Sequence, residues 1–464
     1  MTSRTPTLST LPGKSRAGTR SGRHRGAAIP GSGLLTPDQA VTAYAGDVQR
    51  SLDQQDEVWS RGFTRRRMLA GVGAVCVAGI ASQFVSTRLS FGAPADAGIN
   101  TLVAVFFRGG IDGLSVVVPT DQPYYDQRPG IAIPQSRLIQ IDQRFGMHPV
   151  LAPLQPFLAS GQLGFVHAAG APDASRSHFE AEETVERGVS NVGTHTGWLT
   201  RGLEAMGPGT TFRAIHEGSS LPRSLAGEPS ALTLRGIDSF DLRGFDGVRD
   251  RTVAALGSLY TGLDSPYAAQ VLTTLDGLAA AQAIAAVPYE PANGAEYPDS
   301  GFANAMTDIA RLIKANAGLR VATVNVGGWD MHTNMGNVDA GDMTNSLGSV
   351  GQTLAAFATD LGTQLDDVTV VTMSEFGRRL GQNDNGGTDH GAGNAMILLG
   401  GGVVGNQVHG VWPGLEGDAL DQGDLAVAND FRNVFGELLQ KRMGVGALDG
   451  VFPDLAYTPL GVAT

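Results

Sequence analysis

Five short, unbroken apolar runs, each bounded by glycine or polar residues, limit what this chain can fold into. They cover residues 101–107, 163–168, 320–326, 368–372 and 395–399. A strand with one wet face alternates apolar and polar residues. A continuous run suits a strand buried on both faces, as in a parallel sheet covered by helices on each side. Helical patterns over 303–317 and 342–365 lie between the runs, and another at 429–443 closes the chain. Strands alternating with helices predict an α/β fold, a mainly parallel sheet sandwiched by helices. Residues 210–300 are Arg- and Leu-rich to about 245 and carry an Ala-rich helical pattern over 253–286. That segment reads as an insertion or cap.

Charge is unevenly spread. Residues 1–97 hold 12 Lys and Arg against 6 Asp and Glu, which leaves 21 against 39 in residues 98–464, a net charge of −18. Without a basic stripe the body is not expected to bind nucleic acid. The single cysteine, Cys76, precedes the body, so any metal there must be held by His, Asp or Glu. Residues 1–63 form a polar leader with the composition of disorder. Residues 64–97 then run from Thr64-Arg65-Arg66-Arg67 through an uncharged apolar stretch to Ala93-Pro94-Ala95-Asp96-Ala97. A basic start, an apolar middle and small residues at the end describe a cleavable export signal of twin-arginine type. The body, residues 98–464, is therefore expected across the cytoplasmic membrane, in periplasm, wall or medium, with the export machinery as a partner. An uncleaved anchor is the weaker reading of the same stretch.

The polar groups cluster where the runs end. Asp112 follows the first run; Asp173-Ala174-Ser175-Arg176-Ser177-His178-Phe179-Glu180 follows the second. Gly327-Gly328-Trp329-Asp330-Met331-His332 follows the third, Ser374-Glu375-Phe376-Gly377-Arg378-Arg379 the fourth, and Gly387-Thr388-Asp389-His390-Gly391 precedes the fifth. In open α/β sheets ligands bind beyond the carboxyl ends of the strands. Pairing carboxylate with imidazole makes Asp112, Asp330, His332, Glu375, Asp389 and His390 candidate ligands of a divalent ion, zinc, manganese or calcium. Ser177 or Ser175, at the start of a predicted helix, is a candidate nucleophile, with Arg176 as an anion contact. Ser177 with Glu180 also fits a capping box, and His178 reads equally as a ligand, a base or a packed loop histidine.

These motifs, together with Phe107-Arg108-Gly109-Gly110-Ile111-Asp112-Gly113, resemble the bacterial family called domain of unknown function 1501 over about residues 100–460. The resemblance implies a fold similar to the alkaline phosphatase and sulfatase superfamily. Its residue pattern would match Asp112 to a first ligand aspartate, Ser175 or Ser177 to the nucleophile, Asp330 and His332 to a middle pair and His390 to a final histidine. Phe376 stands where that superfamily has a ligating histidine, and Asp330 and His332 are spaced by one residue rather than three.

The expected function is an exported, metal-dependent hydrolase of phosphate or sulfate esters, its substrate a small molecule or a polymer ester. The alternative is a secreted, non-catalytic protein on the same scaffold that binds a cell-surface polymer or a partner protein.

Overall fold

A computed structural model describes residues 100–172, 175–189, 194–241 and 249–464. The predicted leader and export signal, residues 1–97, lie outside the described residues, as do Asp173 and Ala174. The sheet strands are β1 (Thr101–Phe107), β2 (Leu163–Gly170), β3 (Ala214–Glu217), β4 (Leu232–Leu234), β5 (Val321–Val326), β6 (Val368–Ser374), β7 (Asn394–Gly400), β8 (Val408–His409) and β9 (Asn429–Asp430). Their spatial order is β8-β2-β7-β6-β1-β5-β3-β4, with β9 paired to β2. The fold is α/β with a mostly parallel central sheet.

Each apolar run became a strand because both its faces are covered. In β1, Val103, Val105 and Phe107 point into one core with Met306, Ile309 and Leu354. Leu102 and Phe106 point into the other with Trp198, Val434 and Phe435. The alternation is the period of two of a pleated strand, and each fully buried side chain of this size contributes roughly 1.5–3 kcal/mol. The covering helices are α1 (His178–Arg187), α2 (Trp198–Met206), α3 (Arg249–Tyr260), α4 (Pro266–Ala285), α5 (Gly301–Lys314), α6 (Asp342–Leu361) and α7 (Phe431–Lys441). Helix α5 starts where the Ser300 hydroxyl accepts from the Ala303 amide at 3.1 Å, and α7 where the Asp430 carboxylate accepts from Arg432 at 2.9 Å. Among the described residues no helix is long and apolar enough to cross a membrane.

Two features depart from the pattern read in the sequence. Strand β7 runs antiparallel to both β6 and β2. Its beginning, not its end, therefore lies at the edge where β1, β5 and β6 finish, which brings residues 388–390 to the same place as the clusters that follow those strands. The segment 210–300, read as an insertion or cap, supplies β3 and β4 at one side of the central sheet. Buried polar residues such as His216 and Glu217 break the apolar signal there. Its single helical pattern over 253–286 is split into α3 and α4, because Pro266 opens the second helix with Ser265 as its cap.

Candidate functional site

At the carboxyl edge of β1, β5 and β6 four loops converge, and glycines let them touch. Gly109 and Gly110, just after β1, have φ of +116° and +68°. A Cβ on Gly109 would lie 2.6 Å from the Asp330 amide nitrogen, and one on Gly110 would lie 2.4 Å from the Phe376 ring. Only glycine fits both the backbone geometry and the space. Arg378 then ties the loops together. Buried to 2% exposure, its guanidinium donates to Gly110 O at 2.6 Å, Thr388 O at 2.9 Å, Trp329 O at 3.1 Å and Gly109 O, and to the Asp330 carboxylate at 2.7 Å.

Three imidazoles surround that carboxylate. His178, the first residue of α1, places Nδ1 2.8 Å from Glu375 Oε1. His332 places Nδ1 3.0 Å from Asp389 Oδ1, and His390 places Nδ1 2.8 Å from the Arg176 carbonyl oxygen. A carboxylate or carbonyl oxygen accepts there, so each Nδ1 is the donor, and a ring in its neutral form presents an Nε2 lone pair. These Nε2 atoms lie 3.5 Å (His178), 3.0 Å (His332) and 3.0 Å (His390) from Asp330 Oδ1. His332 and His390 have their Nε2 atoms 3.0 Å apart, and His178 Nε2 is buried without a hydrogen-bond partner.

Lone pairs converging on a carboxylate oxygen repel one another. Protonating all three rings would cure this only by crowding three positive charges beside Arg378. A divalent cation would relieve this repulsion, and the donor atoms of His178, Asp330 and His390, all within 4.8 Å of one another, could hold it. Acceptors behind each ring are the supporting shell that metal-binding histidines use to fix their tautomer. Such nitrogen-rich donors suit zinc or manganese; calcium prefers oxygen.

Charge and packing hold the set in place. Burial pushes the Asp330 pKa up, but the hydrogen bond and charge of Arg378 outweigh it, and the pKa comes down to about 2. Asp389 is held below the usual carboxylate range by its hydrogen bonds with His332 and Asn383. Glu375, fully buried, also accepts from the Gly109 amide at 2.7 Å and from the Ser374 hydroxyl at 3.0 Å. Phe376 ligates nothing. Its ring lies 4.8 Å from that of His178 and 4.7 Å from that of His390, an apolar wall against which both are packed.

Asp330, His332, Glu375, Asp389 and His390 thus meet at one place, Glu375 and Asp389 behind the histidines rather than among the converging atoms. Asp112 is not among them. Its carboxylate is buried with Arg128, which donates to Oδ1 at 2.9 Å, and with Ser115. Burial raises its pKa, and the Arg128 charge more than reverses that. Ser175 donates to Glu180 at 2.6 Å and accepts from the Ser177 amide at 3.1 Å. Ser177 caps α1 by position, yet its exposed hydroxyl makes no cap hydrogen bond, so the capping box with Glu180 does not form. Arg176 lends its carbonyl to His390 and its guanidinium to the buried Asp424. Trp329 is a core residue beside Phe107, and His409 bonds the Val404 carbonyl at 2.6 Å, away from the cluster.

His178 is the group that sequence reasoning left undecided and that the structure puts at the centre. Its signal was position: directly after a candidate nucleophile and at a helix start. Arg378 stands in the sequence only as part of the cluster after the fourth run, and nothing local shows that it spans four carbonyls.

The family described as protein of unknown function (DUF1501) matches residues 158–434. That span holds four of the five motifs, and Phe107–Gly113 precedes it. No curated protein matches the sequence. Among solved structures, the lipoteichoic acid synthase LtaP from Listeria monocytogenes aligns over 72% of this chain and 76% of its own, at 10% identity and a TM-score of 0.31.

Proposed function

The chain belongs to the DUF1501 family, and from that premise we propose that it is a metal-dependent hydrolase of phosphate or sulfate esters that acts after export. The observation that carries this reading is the convergence of three Nε2 lone pairs on Asp330 Oδ1, each ring backed by an acceptor. His178, Asp330 and His390 would hold the ion, His332 completing the set, with Glu375, Asp389 and the Arg176 carbonyl orienting the rings. Zinc or manganese there would supply Lewis acidity at an ester oxygen.

The chain's own groups do the rest. Ser177, whose hydroxyl is free of the helix cap, would form a bond to phosphorus or sulfur as the bond to the leaving oxygen breaks. The leaving oxygen takes up the proton that the serine gives up, and water later cleaves the serine ester. The free amides and dipole at the start of α1 favour the anionic group beside it. Arg176 would add a charge-assisted contact at the rim. A substrate of small-molecule or polymer ester type fits this reading.

Loss of Ser177 tests it. On purified, metal-loaded protein, Ser177→Ala should lower turnover of a nitrophenyl ester by about a thousandfold or more while metal content stays the same. Ser175→Ala should cost far less. A secreted binding protein on the same scaffold is the second reading, favoured by Phe376 and by the engagement of Asp112 with Arg128. Full metal content with no turnover of phosphate or sulfate esters would select it.

A further inference from the structure

We infer that the site takes singly charged tetrahedral esters, a phosphodiester or a sulfate monoester, in preference to doubly charged phosphate monoesters. The inference rests on the metal-dependent hydrolase reading and adds the charge of its substrate. The balance of charged groups around the histidines carries it.

At the site Asp330 is matched by Arg378 at 2.7 Å. Glu375 and Asp389 add two negative charges, which one divalent ion among the Nε2 atoms would neutralise. Asp112 and Arg128 cancel as a buried pair. Along α1 the acidic Glu182, Glu183 and Glu186 face Arg108, Arg187 and Arg223, again without surplus. At the rim Arg176 and Arg379 share one carboxylate, that of Asp424, which is fully buried; Arg379 Nε lies 3.7 Å from its Oδ1, an oxygen with no hydrogen bond, and Arg176 is on Oδ2. Both arginines are tied to the histidine loop through their backbones, Arg176 by its carbonyl to His390 Nδ1 at 2.8 Å and Arg379 by its amide to the Asp389 carbonyl at 2.9 Å.

The rim therefore offers one positive charge beyond its own carboxylate. Glu180, hydrogen-bonded to Ser175, brings the loaded site close to neutral. Onto that near-neutral site a monoanion adds one unmatched negative charge. A dianion brings a second negative charge that no described group on these elements neutralises.

Two measurements test this on the purified, zinc-loaded full chain at about pH 8, where a phosphate monoester is dianionic. The first is isothermal titration of dimethyl phosphate against inorganic phosphate. The second is turnover of bis(4-nitrophenyl) phosphate, 4-nitrophenyl sulfate and 4-nitrophenyl phosphate. The account expects both to favour the monoanions by about tenfold or more, the ratio of diester to sulfate reporting the central atom. Asp424→Asn frees both guanidiniums and should move the binding ratio about tenfold toward inorganic phosphate; Arg379→Gln, at a half-exposed side chain that tolerates change, should move it the other way. Tighter binding or faster turnover of the dianion by the natural protein would overturn the inference and leave the hydrolase reading standing, as would unmoved ratios in both folded variants. A metal-loaded protein that binds neither anion and cleaves none of the esters would overturn both.

Discussion

Replacing Asp112 by asparagine should unfold the protein more easily without emptying its metal site. The Asp112 carboxylate is 4% exposed and Arg128 is 0% exposed. Arg128 also donates to Leu380 O at 2.8 Å and to Arg379 O at 2.9 Å. Asparagine keeps the shape, so no cavity forms, but it leaves a guanidinium buried with carbonyl partners and no counter-charge. Removing one member of such a pair costs about 3–5 kcal/mol. With an unfolding entropy of ~2.1 cal/mol/K per residue over residues 100–464, that is a fall in Tm of roughly 4–6 °C. Because the folded-state pKa of Asp112 lies below its ordinary value, the contribution is present above the unfolded value of about 4 and is lost as pH falls through the folded value. The gap between wild type and Asp112→Asn, read by urea denaturation, should therefore narrow in acid. Metal content should match the wild type. A variant that keeps its stability and loses its metal would refute the assignment of Asp112 to Arg128 and return it to the ligand set.

Two further perturbations probe the frame around the site. Glu217, at the end of β3, has its pKa raised to about 8 by burial and then by Asp308, and one of its oxygens has no partner. The folded state thus holds a proton that the unfolded chain releases near pH 4.5, so stability should decline between about pH 5 and 8, by roughly 3–5 kcal/mol in all. Urea titrations of Glu217→Gln should show that decline removed, and an unchanged slope would count against it. Gly109→Ala forces a side chain into a position with φ of +116° and 2.6 Å from the Asp330 amide. It should cost about 1–3 kcal/mol or more and weaken metal binding about tenfold, measured by competition with a chelator. Unaltered affinity would mean that the loop after β1 does not position Asp330.

Much of this architecture was legible in the sequence because the apolar runs are intrinsically two-faced. All five became strands, and the polar clusters gathered at one edge. What the sequence could not say was direction: the run at 395–399 looks the same read either way, and only the antiparallel pairing of β7 explains why a cluster ahead of a strand joins those that follow strands. Strand β3 was hidden because two of its four residues, His216 and Glu217, are polar yet buried. At the site, short spacings such as Asp330 with His332 and Asp389 with His390 were visible. Long-range partnerships were not. Asp112 with Arg128, Glu375 with His178 and Arg378 with four loop carbonyls depend on side chains reaching across the fold, and no local pattern announces them.

The central claim is that three imidazoles and Asp330 exist to hold a metal ion. Elemental analysis of the purified full-length protein beside a His178→Ala/His390→Ala variant tests it most directly. The account predicts about one equivalent of zinc or manganese in the wild type, lost in the folded variant. A wild-type protein that stays metal-free after incubation with these ions, or a variant that binds them equally, would contradict it.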